Sequence, residues 1–268
     1  CSSDLYNGVT GGFVVVSADD PSMHSSQNEQ DNRYYAKAAR IALVEPSDSQ
    51  ECVDFLKEAY NLSERFDMPV LFRTTTRISH SKSLVAFGER EERPVRPYRK
   101  DPGKYICAPA NAYRNHPKAE ANLDALAEYG ETCSLNRVEL NGAKVGVITA
   151  SVAYQYAKDA FPEETSFLKL GLTYPLPMKL IRDFAAKVET LYIIEELEPF
   201  LEEQIRAAGI LCTGKALTGN LYELNPQLLA ERIFQSRPPT VDVGVKAVSR
   251  PPALCPGCPH RGFFYTMS

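Results

Sequence analysis

The chain has 268 residues, 44% of them apolar and 24% charged, with a net charge of −4. That length suggests about two domains, at roughly 100–200 residues each, and a core large enough to need no disulfide or metal staple. The charge gives no electrostatic case for nucleic acid or an anionic membrane as partner, no apolar run approaches the ~20 residues that span a bilayer, and no signal peptide is present, so a soluble protein is expected.

Near the start, Phe13-Val14-Val15-Val16 is apolar without alternation, the pattern of a strand buried on both faces in a parallel sheet. Asp19-Asp20-Pro21 ends it. A polar cluster follows at the strand's carboxyl end, where open parallel sheets meet ligands and partners, although an ordinary loop has the same composition. Residues 32–39 read as a short helix and 40–44 as a strand. Ser47, with Gln50 three residues later, reads as a capping box that opens a helix whose apolar face is Phe55, Leu56, Ala59, Leu62 and Phe66. Residues 69–76 form the next strand, and strand, helix, strand in that order is the parallel α/β signature.

Residues 84–141 break the pattern. Charge and prolines in 89–99 indicate a linker or extended crossover, and an amphipathic helix is expected within 116–134. Order resumes with strands at 143–149, 167–172 and 190–194, a short strand near 211–214, and helices over 152–161, 178–187 and 200–208. Gly209 stops the last of these, and Asn225 with Pro226 opens another. Four β-α units in this span imply a doubly wound domain. Residues 236–254 hold four prolines and read as a linker.

The chain opens on Cys1 rather than Met and stops at Ser268, eight residues past His260, so an internal fragment of a longer polypeptide is expected. Its seven cysteines are odd in number and mostly scattered, which fits a reducing, cytoplasmic compartment. Cys255 and Cys258 form a CxxC pair beside His260 and Arg261. A zinc ribbon lacks its second pair, a redox pair lacks its preceding strand, and an iron–sulfur cluster needs further ligands. A Cys-lined turn that positions His260 and Arg261 stays open beside them. Glu195-Glu196 follows a strand and suits a helix cap or a contact with a partner's Arg better than a general base. His80 and His116 carry no functional weight.

The segments ADDPSMHSSQNEQDNRYYAKAARI (18–41), EPSDSQE (45–51), GLTYPLP (171–177), IEELEPFLEEQI (194–205) and CPGCPHRGFFY (255–265) together resemble one family, in its order. It is the large (alpha) subunit of indolepyruvate:ferredoxin oxidoreductase, a thiamine-diphosphate-dependent 2-oxoacid oxidoreductase. The resemblance implies an α/β fold of parallel-sheet, three-layer domains. Residues 1–90 would be the later part of the pyrimidine-binding thiamine domain, 91–140 a connection, 141–236 a transketolase C-terminal-like domain, and 237–268 a linker and the start of the diphosphate-binding domain.

It also implies oxidative decarboxylation of arylpyruvates to aryl-acetyl-CoA, with electrons passed to ferredoxin and a smaller (beta) subunit as partner. Another 2-oxoacid substrate, or a non-catalytic α/β scaffold, is the alternative. Thiamine diphosphate, Mg²⁺ and 4Fe–4S clusters would belong to the full-length enzyme. The activating Glu would lie before residue 1 and the Mg²⁺ motif and cluster cysteines after 268, so the fragment is expected to bind none of these alone and to be inactive alone. Cys255, Cys258, His260 and Arg261 are the cofactor-site candidates, with Cys255 and Cys258 as possible cluster ligands. His24, Ser25, Ser26, Glu29, Gln30 and Asp31 are the candidates for the interface between thiamine domains of neighbouring chains.

Overall fold

The computed structural model describes residues 2–24, 26–92, 94–95, 97–236, 239, 241, 243–246, 254 and 257–268. Two four-stranded sheets organise them. The first holds β1 (Val14–Asp19), β3 (Val70–Thr75), β2 (Ala42–Val44) and β7 (Leu172–Tyr174), in that spatial order. The second runs β4 (Arg137–Glu139), β6 (Ser166–Leu170), β5 (Val145–Ala150) and β8 (Thr190–Ile194). Strands β1, β2 and β3 pair in parallel, as do β5, β6 and β8, while β7 and β4 run antiparallel at the margins.

The strand–helix–strand reading of the first sheet holds: β2 leads through the helix Ser49–Phe66 into β3, its parallel neighbour. That helix buries Phe55, Ala59, Leu62 and Phe66 at helical spacing. Its cap lies one residue beyond the expected place. Asp48 accepts from the Glu51 N–H at 2.8 Å, and the Glu51 carboxylate reaches back to the Ser47 N–H at 2.8 Å. Gln50, the expected capping partner, faces Asp54 and the Ala86 carbonyl instead.

Strand β1 departs from expectation more sharply. Phe13 is 40% and Val16 63% exposed, because β1 lies at the edge of its sheet rather than inside it. An apolar run without alternation marks apolar faces, but it does not say what covers them. The expected strand over 167–172 is in fact two. β6 ends at Leu170 and β7 begins at Leu172, in the other sheet, with Gly171 between them. A Cβ at Gly171 would stand 2.4 Å from the Leu135 carbonyl oxygen and 2.6 Å from the Phe55 ring, so only glycine passes there. Residues near 211–214 contribute a single bridge, Thr213 to Tyr192, rather than a strand. The amphipathic helix expected in 116–134 begins earlier, spans Pro109–Gly130, and buries Ala119, Leu123 and Leu126.

Helices sandwich the second sheet. On one face Ile148, Leu168, Leu170 and Ile193 join a core with Ile181, Phe184, Phe200, Leu201 and Ile205. On the other, Val147 and Phe167 pack with Tyr154, Ala157, Phe161 and Leu229. The first core is continuous with the first sheet's Leu43, Val70 and Phe72, so one apolar body joins the two sheets. Each fully buried Leu, Ile or Phe in it contributes about 1.5–3 kcal/mol. The fold is α/β, with sheets layered between helices, as expected.

Candidate functional site

The carboxyl ends of the parallel strands meet at a buried ionic seam. Arg33 opens the helix Arg33–Ala39, is 2% exposed, and uses its guanidinium in several directions at once. Nη1 donates to Glu195 Oε2 at 2.5 Å, Nε to Asp31 Oδ1 at 2.8 Å, and Nη2 to the carbonyls of Glu196 and Glu198, both at 2.8 Å. Its carbon Cζ lies 5.2 Å from the Phe200 ring centre. A planar fork with five donors suits this geometry, which an ammonium group would not satisfy. Burial weakens the Arg33 charge, but Asp31 and Glu195 outweigh it and hold its pKa well above the usual value. Burial also raises the Asp31 carboxyl, and the Arg33 charge overcomes this to hold it below the usual range.

Glu195 follows β8 directly. Its Oε1 accepts from the N–H groups of Leu201 at 3.1 Å and Glu202 at 3.0 Å, at the amino end of the helix Phe200–Ala207. A carboxylate there satisfies orphan donors and complements the helix dipole. Glu195 thus does what was expected, capping a helix and meeting an arginine, but the arginine belongs to its own chain. Lys215 Nζ donates to the Glu195 carbonyl at 2.6 Å, and burial lowers its pKa to about 8. Glu196 accepts from the Leu224 N–H at 3.0 Å, and burial raises its carboxyl to about 7.

A second buried arginine extends the seam inward. Arg73, in the middle of β3, donates through Nε to Asp19 Oδ2 at 2.9 Å and through Nη1 to Glu45 Oε1 at 2.5 Å. Thr173 on β7 donates to the other Glu45 oxygen at 2.6 Å. Elsewhere between the sheets, Lys169 is fully buried on β6, pairs with Glu51, and stands 4.3 Å from the Phe55 ring centre. Burial lowers the Lys169 pKa, against the pull of Glu51.

Outside this core, two loops are tied together where their backbones are strained. Ser22, Met23 and Tyr222 take φ values of 69°, 51° and 68°, which non-glycine residues adopt only when their surroundings fix them. Glu29 fixes both loops, accepting from the Ser22 N–H at 2.6 Å and the Tyr222 N–H at 3.2 Å. Ser22 Oγ accepts from the Glu223 N–H at 2.8 Å. Glu223 also pairs with Arg77 and, at 3.3 Å, with His24.

The expected interface residues therefore divide. Asp31 turns inward onto Arg33, while Glu29 and His24 face residues 222–223 of the same chain. Ser26 bonds Asp20 through its N–H and hydroxyl, and Gln30 accepts from the Tyr35 hydroxyl at 3.2 Å. Ser25 lies outside the described residues. Sequence reasoning missed Arg73, Asp19, Glu45 and Lys215 as site residues. The available signal was the charge itself: Arg73 interrupts the otherwise uncharged strand VLFRTT, and a buried charge demands a partner.

Of the cofactor-site candidates, Cys255 lies outside the described residues. Cys258 Sγ stands 3.3 Å from His260 Nδ1, and His260 and Arg261 open the helix His260–Met267. The Arg261 guanidinium donates to the Leu254 carbonyl, and the Arg261 backbone N–H donates to the Cys258 carbonyl at 3.1 Å. A guanidinium and an imidazole at a helix's amino end have the donor chemistry that a diphosphate requires. Among the described residues no group of three His, Cys, Asp or Glu converges that could hold a metal ion. No helix among them is long and apolar enough to cross a membrane.

The fold has a counterpart among solved structures. It superposes on the 2-oxoglutarate:ferredoxin oxidoreductase of Magnetococcus marinus, solved with 2-oxoglutarate, coenzyme A and succinyl-CoA, with a TM-score of 0.62 at 14% identity, covering 87% of this chain and 50% of that one. No family model matches the sequence. The indolepyruvate oxidoreductase subunits IorA of Methanothermobacter thermautotrophicus and Archaeoglobus fulgidus are 39% and 36% identical over 99% of the chain. That of Thermococcus kodakarensis is 38% identical over the same share. The chain is similar to these IorA subunits along almost its whole length, and it spans about half of theirs, 45–46%.

Proposed function

We propose that this chain is the part of an indolepyruvate:ferredoxin oxidoreductase large subunit that joins its pyrimidine-side thiamine domain to its transketolase C-terminal-like domain. The observation that supports this reading best is the match to IorA subunits along 99% of the chain. The ionic seam supplies the physical role, because Arg33 ties Asp31 to Glu195 at the carboxyl end of the second sheet, while Arg73 ties together the strands of the first. Such positioning matters where a cofactor is bound between elements held by different parts of a fold.

In the complete enzyme, thiamine diphosphate with Mg²⁺ would supply the electron sink for decarboxylation of an arylpyruvate. Iron–sulfur clusters would relay electrons to ferredoxin, coenzyme A would take the acyl group, and a smaller subunit would complete the assembly in the cytoplasm. The turn carrying Cys255, Cys258, His260 and Arg261 is proposed to hold the diphosphate through His260 and Arg261. The outward side chains among His24, Ser25, Ser26, Glu29 and Gln30 are proposed to face a neighbouring thiamine domain, with Asp31 supporting them from inside.

The test is viologen reduction by the full-length subunit, assembled without oxygen with its smaller partner. Reduction is expected to need indolepyruvate, coenzyme A, thiamine diphosphate and Mg²⁺ together. Reduction that persists when thiamine diphosphate is omitted from enzyme stripped of it would refute the reading. No reduction by correctly folded, cluster-loaded enzyme would favour a scaffold role instead.

A further inference from the structure

At the opposite end of the first sheet from the ionic seam, the helix that precedes β1 borders a cavity of about 430 Å³. Its walls come from the helix Ser2–Asn7, the loop 101–105 and the helix Pro109–Gly130. The size falls within the roughly 300–1,000 Å³ of small-molecule sites, but the lining is mostly polar, against the usual apolar lining.

The charges around it do not balance. Asp67 closes the helix Ser49–Phe66 in the left-handed conformation and accepts from the Val9 N–H at 2.8 Å. Both Lys104, at 2.8 Å, and Lys118, at 2.5 Å, donate to this single carboxylate. Burial raises the Asp67 carboxyl, and the two ammonium groups overcome that and hold it below the usual range. Arg114 adds a third cation. Its Nη2 donates to the Gly103 carbonyl and to Asn111 Oδ1, both at 3.0 Å, and it forms no ion pair among the described residues. Asp101 is the carboxylate on the lining itself, and its Oδ1 accepts from the Lys104 N–H at 3.0 Å. Three cations thus stand against two carboxylates, both already accepting hydrogen bonds.

The loop lies close against this arginine: its Gly103 carbonyl accepts from Arg114 Nη2 at 3.0 Å. Asn115 lines the same wall and adds an amide.

We propose that this cavity is an oxyanion site that takes a phosphate group, free or carried on a small polar molecule, between Arg114 and Lys118 with Lys104 behind. Charge-assisted hydrogen bonds to a phosphate are the interactions these donors make best. An apolar ligand would leave the cations desolvated without a partner.

The experiment is isothermal titration of the 268-residue chain at low ionic strength with inorganic phosphate, and separately with adenosine monophosphate as an organic phosphate. Saturable binding of at least one probe is expected. The stronger of the two identifies the source: tighter phosphate means the free ion, and tighter nucleotide means a carried group. Arg114→Gln is expected to weaken binding about ten-fold or more, since it removes a charge-assisted hydrogen bond to the phosphate. Lys118→Gln should weaken it as well, with near-ultraviolet circular dichroism unchanged in both variants. Absence of saturable binding by either probe, or equal binding by a folded Arg114→Gln variant, would overturn the proposal.

Discussion

Replacing Arg33 by Met removes a guanidinium whose bonds tie Asp31 and Glu195 to the carbonyls of Glu196 and Glu198. The side-chain oxygens of Asp31 and Glu195 are almost wholly buried, so water cannot replace the lost donors without opening the seam. Breaking a buried pair by removing one partner typically costs about 3–5 kcal/mol, most of it from the uncompensated charge left behind. The same loss corresponds to a fall in Tm on the order of 10 °C for a chain of this size. Arg33→Lys keeps the charge but cannot reach two carboxylates and two carbonyls together, so it should recover less than half of the loss. Combining Arg33→Met with Asp31→Asn removes one of the stranded charges, and the double variant should be more stable than the sum of the single effects predicts. Urea denaturation followed by tyrosine fluorescence and far-ultraviolet circular dichroism reads all four proteins. A loss under about 1 kcal/mol for Arg33→Met, or a lysine variant equal to wild type, would refute the account of the seam.

Three further outcomes follow from other parts of the molecule. Glu196 titrates at about 7 in the folded chain against an ordinary 4.5, so the stability linked to its proton is complete below 4.5 and is lost as pH rises through 7. Glu196→Gln should therefore stabilise the chain by on the order of 3 kcal/mol at pH 8 and by little at pH 4.5; a gap independent of pH in urea melts would contradict this. Gly171→Ala places a methyl group against the Leu135 carbonyl and Phe55, and should cost about 1–3 kcal/mol in the same melts, whereas a neutral effect would show that the junction between β6 and β7 yields easily. Val16→Lys on the exposed edge strand should change stability by less than about 0.5 kcal/mol while lowering light scattering by concentrated protein, and a large destabilisation would mean that Val16 is packed in solution.

The elements with local signals were legible in the sequence. The helix Ser49–Phe66 announced itself by apolar spacing, and the helix Pro226–Phe234 by Asn225 and Pro226, with Asn225 Oδ1 accepting from the Leu228 N–H at 2.8 Å. The second sheet's β5, β6 and β8 were legible for the same reason, each being a short apolar run, whereas β4, with the sequence RVE, carried no such signal. What the sequence hid was set by distant partners. Exposure of β1 depends on its place at a sheet edge, and the split of residues 166–174 depends on β2, about 130 residues earlier in the chain, offering a free edge to β7. The seam was half visible. Glu195 was recognised as a helix cap and a partner for an arginine, but that arginine lay 162 residues away in its own chain. Local spacing carries no record of such a contact. The charges of Arg73 and Glu45, embedded in buried segments, were the one clue that a polar network had to exist.

Substrate preference tests most directly the proposal that this chain is part of an enzyme acting on arylpyruvates. The full-length subunit, assembled with its smaller partner, should be given indolepyruvate, pyruvate and 2-oxoglutarate in turn, with kcat/KM for viologen reduction measured for each. The account predicts that indolepyruvate is preferred over both others by at least about ten-fold, roughly 1.4 kcal/mol in transition-state stabilisation. Equal rates with all three, or a preference for 2-oxoglutarate or pyruvate, would contradict it.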